Sequence, residues 1–136
     1  MSPAGLGRAI RDAPGTFIAV QRNPEAGEIE ALIESTGRPV ADFTAVNDDL
    51  EDALALMGLL DRYICVSNAN LHFRAALGRT GNVLIPCPSE FRWMAAGPES
   101  PWFPGMAVSR QRPDGDWSDA LAALKDSVQT AVGTRP

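Results

Sequence analysis

Residues 63–86, YICVSNANLHFRAALGRTGNVLIP, place two short apolar runs on either side of a polar turn and a helix-like segment. Residues 63–66 and 82–85 have the composition of buried strands. Residues 70–77 between them have helical character, and Gly78 is a typical helix-ending residue. A strand, a helix and a second strand in this order predict a parallel β–α–β unit with a right-handed crossover.

The same alternation of short apolar runs and helical periodicity extends along the chain in both directions. Further strands are predicted near Phe17, Ala41 and Val108, and a helix is predicted over residues 2–13. The runs are continuously apolar, which is typical of a sheet covered on both faces. We therefore predict an α/β fold, a Rossmann-like open and mostly parallel sheet of about five strands with helices on both faces. One domain is expected over residues 1–132, followed by a tail at 133–136.

Composition excludes several classes of protein. The chain has 136 residues, with 12 Lys and Arg against 17 Asp and Glu, and a net charge of −5. An acidic chain argues against nucleic acid as the main partner, because binding to phosphate backbones requires a basic face. No apolar run has the roughly 18 residues of a membrane span. Cys65 and Cys87 fit no metal-binding spacing and indicate buried thiols in a reducing compartment, so we expect a cytoplasmic protein with no cofactor and no metal.

Polar and charged residues follow the predicted strands, where open parallel sheets bind their ligands. Three of the five strand exits carry arginine, although the chain as a whole is acidic. This contrast predicts an anionic ligand at the carboxyl edge of the sheet. The candidate binding residues are Ser67, Asn68, Asn70, His72, Glu90 and Arg92, with possible support from Gln21, Arg22 and Arg110.

The polar residues 67–70 allow two interpretations. They stand at the start of a predicted helix, where free N–H groups and the helix dipole favour phosphate, and His72 in the first turn supplies a further donor. Ser and Asn are equally the usual caps of any helix, and a histidine in this position often bonds only a neighbouring carbonyl. No catalytic residue is assigned by either interpretation.

Residues 86–104 are rich in proline and tryptophan although they lie between two predicted strands. Trp93 and Trp102 are candidates for a platform on which a base or a sugar stacks. The alternative is that both rings pack an irregular connection onto the sheet.

Several motifs resemble a known family when they are taken in order: VSNANLHFRAALG, VLIP, EFRWM, SPWFP and RQRPDGDW. They resemble the C-terminal glycosyltransferase-like domain of bacterial tetratricopeptide-repeat proteins, which is related to the ADP-heptose heptosyltransferase family and distantly to O-GlcNAc transferase. The resemblance covers residues 15–130. It implies the C-terminal half of a GT-B fold, which binds a nucleotide sugar.

The resemblance also implies positions for the site. The family pattern V-D-T-x-x-x-H-L-A-x-A-L-G places its His on His72, its Asp on Ser67 and its Thr on Asn68. A donor-diphosphate site is thus implied around residues 68–72, and Glu90 and Arg92 match an acidic-aromatic-Arg-Trp pattern. Because the family carboxylate is replaced by Ser67, weakened or lost catalysis is expected.

A helix stands where a GT-B half normally begins with its central strand. We therefore expect the strands at Phe17 and Ile64 to pair directly. We also expect the chain to be inactive alone, because a cleft enzyme needs both walls, with a missing N-terminal glycosyltransferase half or a repeat domain as its partner. The alternatives are a non-catalytic α/β binding or assembly module descended from a glycosyltransferase, or a free-standing nucleotide-binding protein.

Overall fold

The computed structural model describes residues 1–130, in which helices alternate with short parallel strands. The helices are α1 Pro3–Ile10, α2 Glu28–Thr36, α3 Leu50–Leu59, α4 Ala69–Ala76 and α5 Ser118–Thr130. The strands are β1 Phe17–Ala19, β2 Val40–Asp42, β3 Ile64–Val66, β4 Asn82–Ile85 and β5 Ala107–Arg110. Two 3₁₀ helices occupy Thr44–Asp48 and Phe91–Trp93. The α/β class and the positions of all five predicted strands are confirmed.

The strands form two parallel sheets. One contains β1 and β2, and the other has the order β3-β4-β5. The predicted pairing of the strands at Phe17 and Ile64 is wrong, because β1 forms its ladder with β2 and β3 forms its ladder with β4. The expectation rests on the free-energy cost of backbone N–H and C=O groups that lack hydrogen-bond partners along an unpaired strand edge. Strands of three residues expose few such groups, so this cost is small.

The chain divides into two compact units, Met1–Asp48 with the end of α5 from Leu121 onward, and Asp49–Ala120. In the first unit α1 packs closely on α2 at Gly7, since a Cβ built there would lie 1.9 Å from the Ser35 hydroxyl oxygen. Arg38 holds the turn after α1 by donating to the carbonyl oxygens of Ala13 and Gly15. Its guanidinium also lies 4.4 Å from the centre of the Phe17 ring.

In the second unit the buried side chain of Arg74, only 3% exposed, joins α3 to the turn before β4. It donates to the carbonyl oxygens of Met57 at 2.5 Å, Leu60 at 2.7 Å and Thr80 at 2.9 Å. The carbonyls at the end of α3 carry the negative pole of the helix dipole, so they suit a cation. Burial lowers the pKa of Arg74, but a guanidinium stays protonated in proteins.

The core of the second unit is built on its central strand. Val83, Leu84 and Ile85 of β4 are all buried, which is the burial pattern of a parallel strand with both faces covered. Met57 of α3 and Leu71 of α4 are fully buried as well. The continuous apolar run of β4 thus agrees with its position at the centre of the three-stranded sheet.

Two helices differ from their predicted form. Asn23, Pro24 and Glu25 have the cap, first-position proline and first-turn acid that predict a helix start, but α2 begins only at Glu28. Asn23 instead adopts a positive φ of 49°. The Glu28 carboxylate accepts from the Glu25 N–H at 2.9 Å and from Gln21 Nε2 at 2.6 Å, which stabilises a turn in place of the first helical residues.

In α3 the helical spacing of Leu50, Ala53, Leu54 and Met57 predicts one buried stripe, and only half of that prediction is correct. Ala53 and Met57 are buried, whereas Leu50 and Leu54 are exposed.

The single domain predicted for residues 1–132 stays a prediction, and the tail at 133–136 lies outside the described residues. Within residues 1–130 no helix combines the length and the apolar character needed to cross a membrane.

Two helical glycines, Gly7 inside α1 and Gly58 in the last turn of α3, provide a matched test of the packing. Gly7→Ala should lower the free energy of unfolding by about 1–3 kcal/mol, because the new methyl group overlaps Ser35. At Gly58 in α3 a Cβ would meet only Leu77, at an ordinary 3.7 Å. Gly58→Ala should therefore raise the free energy of unfolding by about 0.5–1 kcal/mol through helix propensity. Urea denaturation measures both changes, and equal effects would contradict the close packing of α1 on α2.

Candidate functional site

The carboxyl ends of β3, β4 and β5 lie at one edge of the three-stranded sheet, with Val66, Leu84 and Ser109 in register. α4 begins at this edge, immediately after β3, with Asn68 as its N-cap. A helix N-terminus at the carboxyl edge of a parallel sheet is the usual place for an anionic ligand in this class of fold.

The two asparagines of residues 67–70 have structural partners. Asn68 Oδ1 accepts from the Leu71 N–H at 3.0 Å, which caps α4, and from the Tyr63 hydroxyl at 3.2 Å. Asn70 is buried, and its side chain also hydrogen-bonds the Tyr63 hydroxyl. The capping interpretation is therefore correct for Asn68, whereas Asn70 lies inside α4 and bonds another side chain. Ser67 is half-buried and His72 is exposed.

Tyr63 and Cys65 form a buried polar pair beneath the start of α4. Burial raises the pKa of the Tyr63 hydroxyl, and the nearby Cys65 adds to the rise. Burial also raises the pKa of the Cys65 thiol, from 9.0 to about 12. Neither group is a thiolate or phenolate at neutral pH, so neither acts as a nucleophile or a general base there.

His72 connects α4 to residues 86–106, which we call the β4–β5 segment. Its ring meets Phe103 edge-on, with 5.0 Å between the ring centroids. Phe103 in turn stacks on Trp93 at 4.8 Å. The structure thus brings the predicted site residue His72 next to the segment that carries Glu90 and Arg92.

Glu90 and Arg92 form an ion pair with each other, and both side chains are partly exposed. The Arg92 guanidinium lies 5.3 Å from the centre of the Phe91 ring. Its Nε atom is buried and has no hydrogen-bond partner among the described residues. A ligand could therefore meet Arg92 only through the exposed part of its guanidinium, since the side chain as a whole is 35% exposed.

Arg110 has a structural role. Its guanidinium donates to the carbonyl oxygens of Trp93, of Met94 at 3.0 Å, of Ala96 at 3.3 Å and of Gly97 at 3.0 Å. Since these bonds occupy its donors, Arg110 fixes the β4–β5 segment and is not available to an anion.

The other two supporting candidates lie in the first unit, at the carboxyl end of β1. Gln21 donates to the Glu28 carboxylate, so its amide nitrogen is engaged within the turn before α2. Arg22 is exposed, and no ion pair or hydrogen bond of its side chain occurs within residues 1–130. Of the three candidate arginines, Arg22, Arg92 and Arg110, only Arg22 and Arg92 retain unbonded donors within residues 1–130.

Of the two interpretations of Trp93 and Trp102, packing of the irregular connection is correct for Trp93, which is fully buried and cannot form a stacking platform. Trp102 is 59% exposed and meets Phe91, which is 67% exposed, edge-on with ring centroids 5.7 Å apart. Sequence reasoning missed Phe91. The apolar residues around the 3₁₀ helix Phe91–Trp93 follow neither a helix nor a strand period, so the sequence does not show which ring is buried and which is exposed.

Comparison of the chain with protein-family models, with curated proteins and with solved structures finds no match. Within the described part of the chain, no three His, Cys, Asp or Glu side chains converge as a metal site would require. The candidate site therefore consists of the α4 N-terminus, His72 and the Glu90–Arg92 pair.

The two cysteines should differ sharply in reactivity. Cys87 is exposed and Cys65 is buried. At pH 8 a thiol reagent should therefore modify one thiol per chain rapidly in the native protein and two thiols per chain in the unfolded protein. Cys87→Ser should remove the rapid equivalent. A rapid thiol remaining in Cys87→Ser would contradict the buried environment of Cys65.

The raised pKa of Cys65 also sets a pH dependence of stability. A thiol whose pKa is higher in the folded state stabilises the fold fully below its unfolded pKa of 9.0, and this stabilisation is lost as the pH rises towards about 12. Replacement of Cys65 by Ala should therefore flatten the fall in the free energy of unfolding above pH 9. An unchanged slope would contradict the assignment.

Proposed function

We propose that this chain binds a nucleotide sugar at the α4 N-terminus and does not transfer the sugar by itself. It would be one half of a glycosyltransferase-like protein. The observation that carries the proposal is the contact of His72 with Phe103, which places an exposed histidine of the first helical turn beside the segment bearing Arg92.

Each element of this site supplies a different part of diphosphate binding. The N–H groups of the first turn of α4 and its dipole favour negative charge, although Asn68 already accepts from that of Leu71. His72 adds a ring donor. Arg92 adds the exposed donors of its guanidinium, but Glu90 balances its charge, so the preference for an anion comes from the helix N-terminus.

The chemistry of the same residues supports binding without turnover. The stretch 67–72 contains no carboxylate, since Ser67 stands where the resembling family has Asp. Glu90 is already paired with Arg92, and the raised pKa values of Tyr63 and Cys65 keep both groups protonated. A cytoplasmic, bacterial setting and a partner carrying the other half or helical repeats belong to the same proposal.

A second candidate function is assembly without any small ligand, and the surface of α3 favours it. Leu50 is 63% exposed and Leu54, one turn later on the same face, is 37% exposed, so the two form a small apolar patch. If this function is correct, the chain binds no nucleotide sugar and Leu50→Ser lowers its tendency to associate in sedimentation experiments.

Calorimetric titration with ADP- and UDP-sugars tests the first candidate. Arg92→Ala should weaken binding by about 1.5–3 kcal/mol, as expected for the loss of a charge-assisted hydrogen bond. His72→Ala should also weaken binding, and high salt should weaken it for the unmodified chain. Arg79→Ala makes the same change of charge at an exposed position outside the site and should have little effect.

Asn70 is not a suitable site for a blocking substitution. Its side chain is buried against Tyr63, so Asn70→Leu should cost stability in addition to any effect on a ligand. Absence of saturable binding to every nucleotide sugar at millimolar concentration would contradict the proposed function. Sugar transfer by the isolated chain would contradict the second part of the proposal, which is that the chain does not transfer the sugar by itself.

A further inference from the structure

Phe91 and Trp102 form an exposed pair of aromatic rings that the nucleotide-sugar proposal does not use. They are 67% and 59% exposed, and their planes stand at 87° to each other. Single exposed apolar residues are ordinary in proteins, but two large aromatic rings in contact at the surface are a feature of binding sites.

Hydrogen bonds within the β4–β5 segment hold both rings in place. The Ser100 hydroxyl accepts from the Trp102 N–H at 3.1 Å and donates to the carbonyl of Arg92. Ser89 Oγ donates to the Met94 carbonyl at 2.6 Å, and Met94 is also bonded by Arg110. Because the backbone on both sides of the pair is fixed, little conformational entropy is lost when a ligand binds to the rings.

The polar groups beside the rings have no net charge. Glu90 and Arg92 form an ion pair that is partly exposed, and the Arg92 guanidinium also lies beside the Phe91 ring. A carboxylate accepts hydrogen bonds and a guanidinium donates them, so the pair suits a ligand whose groups do both. A neutral pair selects neither an anion nor a cation.

We propose that Phe91, Trp102, Glu90 and Arg92 form a binding surface for a neutral carbohydrate chain. Sugar rings have an apolar C–H face that packs on an aromatic ring, and neighbouring hydroxyls that both donate and accept hydrogen bonds. Both rings lie on the surface, so the ligand is an oligosaccharide bound along its side. This surface does not rest on the nucleotide-sugar proposal, although both use Arg92.

Titration with cellohexaose, maltohexaose and chitohexaose, followed by NMR of the tryptophan indole N–H groups, tests this surface. The chain has three tryptophans, and the signal missing from Trp102→Phe identifies Trp102. At least one of the three sugars should shift this signal saturably and leave that of the buried Trp93 in place. Phe91→Ala and Trp102→Ala should each weaken binding by about tenfold.

Matched controls separate this surface from the nucleotide-sugar site. Phe43→Ala removes another exposed aromatic ring, in the first unit, and should leave oligosaccharide binding unchanged. His72→Ala should weaken the binding of nucleotide sugars and leave the binding of neutral oligosaccharides unchanged. Binding of a neutral chain should change less than about twofold between low and high salt, unlike binding of an anion.

Three outcomes would overturn the proposal. One is that none of the three oligosaccharides shifts the Trp102 signal at about 10 mM, roughly ten times a millimolar Kd. Another is that binding survives in both Phe91→Ala and Trp102→Ala. The third is that a decaproline peptide shifts the Trp102 signal and the sugars do not, which would assign the rings to proline-rich peptides instead.

Discussion

The hydrogen bonds from Arg110 to the carbonyl oxygens of the β4–β5 segment are the constraint on which both candidate surfaces depend. Parallel strands require a crossover, and here the connection between β4 and β5 holds only a 3₁₀ helix of three residues. Such a connection lacks the regular backbone hydrogen bonds that order a helix. The Arg110 guanidinium, at the end of β5, takes their place by donating to the carbonyl oxygens of Trp93, Met94, Ala96 and Gly97. With the segment fixed in this way, Trp93 is buried and Phe91 and Trp102 are exposed.

Arginine has the same use elsewhere in the chain. Arg38 binds the carbonyls after α1, and Arg74 binds those at the end of α3. In each case a planar group with five donors satisfies several carbonyls that irregular backbone leaves without partners. Three of the 12 Lys and Arg residues of this acidic chain thus bind its own backbone, and Arg92 is the arginine of the candidate site.

The sequence predicted the strands and the α/β class because burial imposes a pattern on residues that are close in the chain. The apolar run of β4 is a local signal that predicts its strand, and the Asn68 cap of α4 is one of the two interpretations that residues 67–70 allow. The exposure of Leu50 and Leu54 and the separate ladders of β1 and β3 depend on packing between distant residues, which no local period records. The bonds of Arg110 to four carbonyl oxygens depend on such packing as well. A strand-exit arginine that binds a ligand and one that binds carbonyls have the same sequence signature.

Hydrogen–deuterium exchange on Arg110→Met is the most direct test of this account. Methionine keeps the apolar stem but removes every donor, so amides of the β4–β5 segment should lose protection while those of β4 keep it. Acrylamide should then quench the now accessible Trp93, and the free energy of unfolding should fall by about 2–4 kcal/mol. Arg110→Lys should restore only part of the protection, because an ammonium cannot reach four carbonyls at once. Unchanged protection of the segment in Arg110→Met would contradict the account.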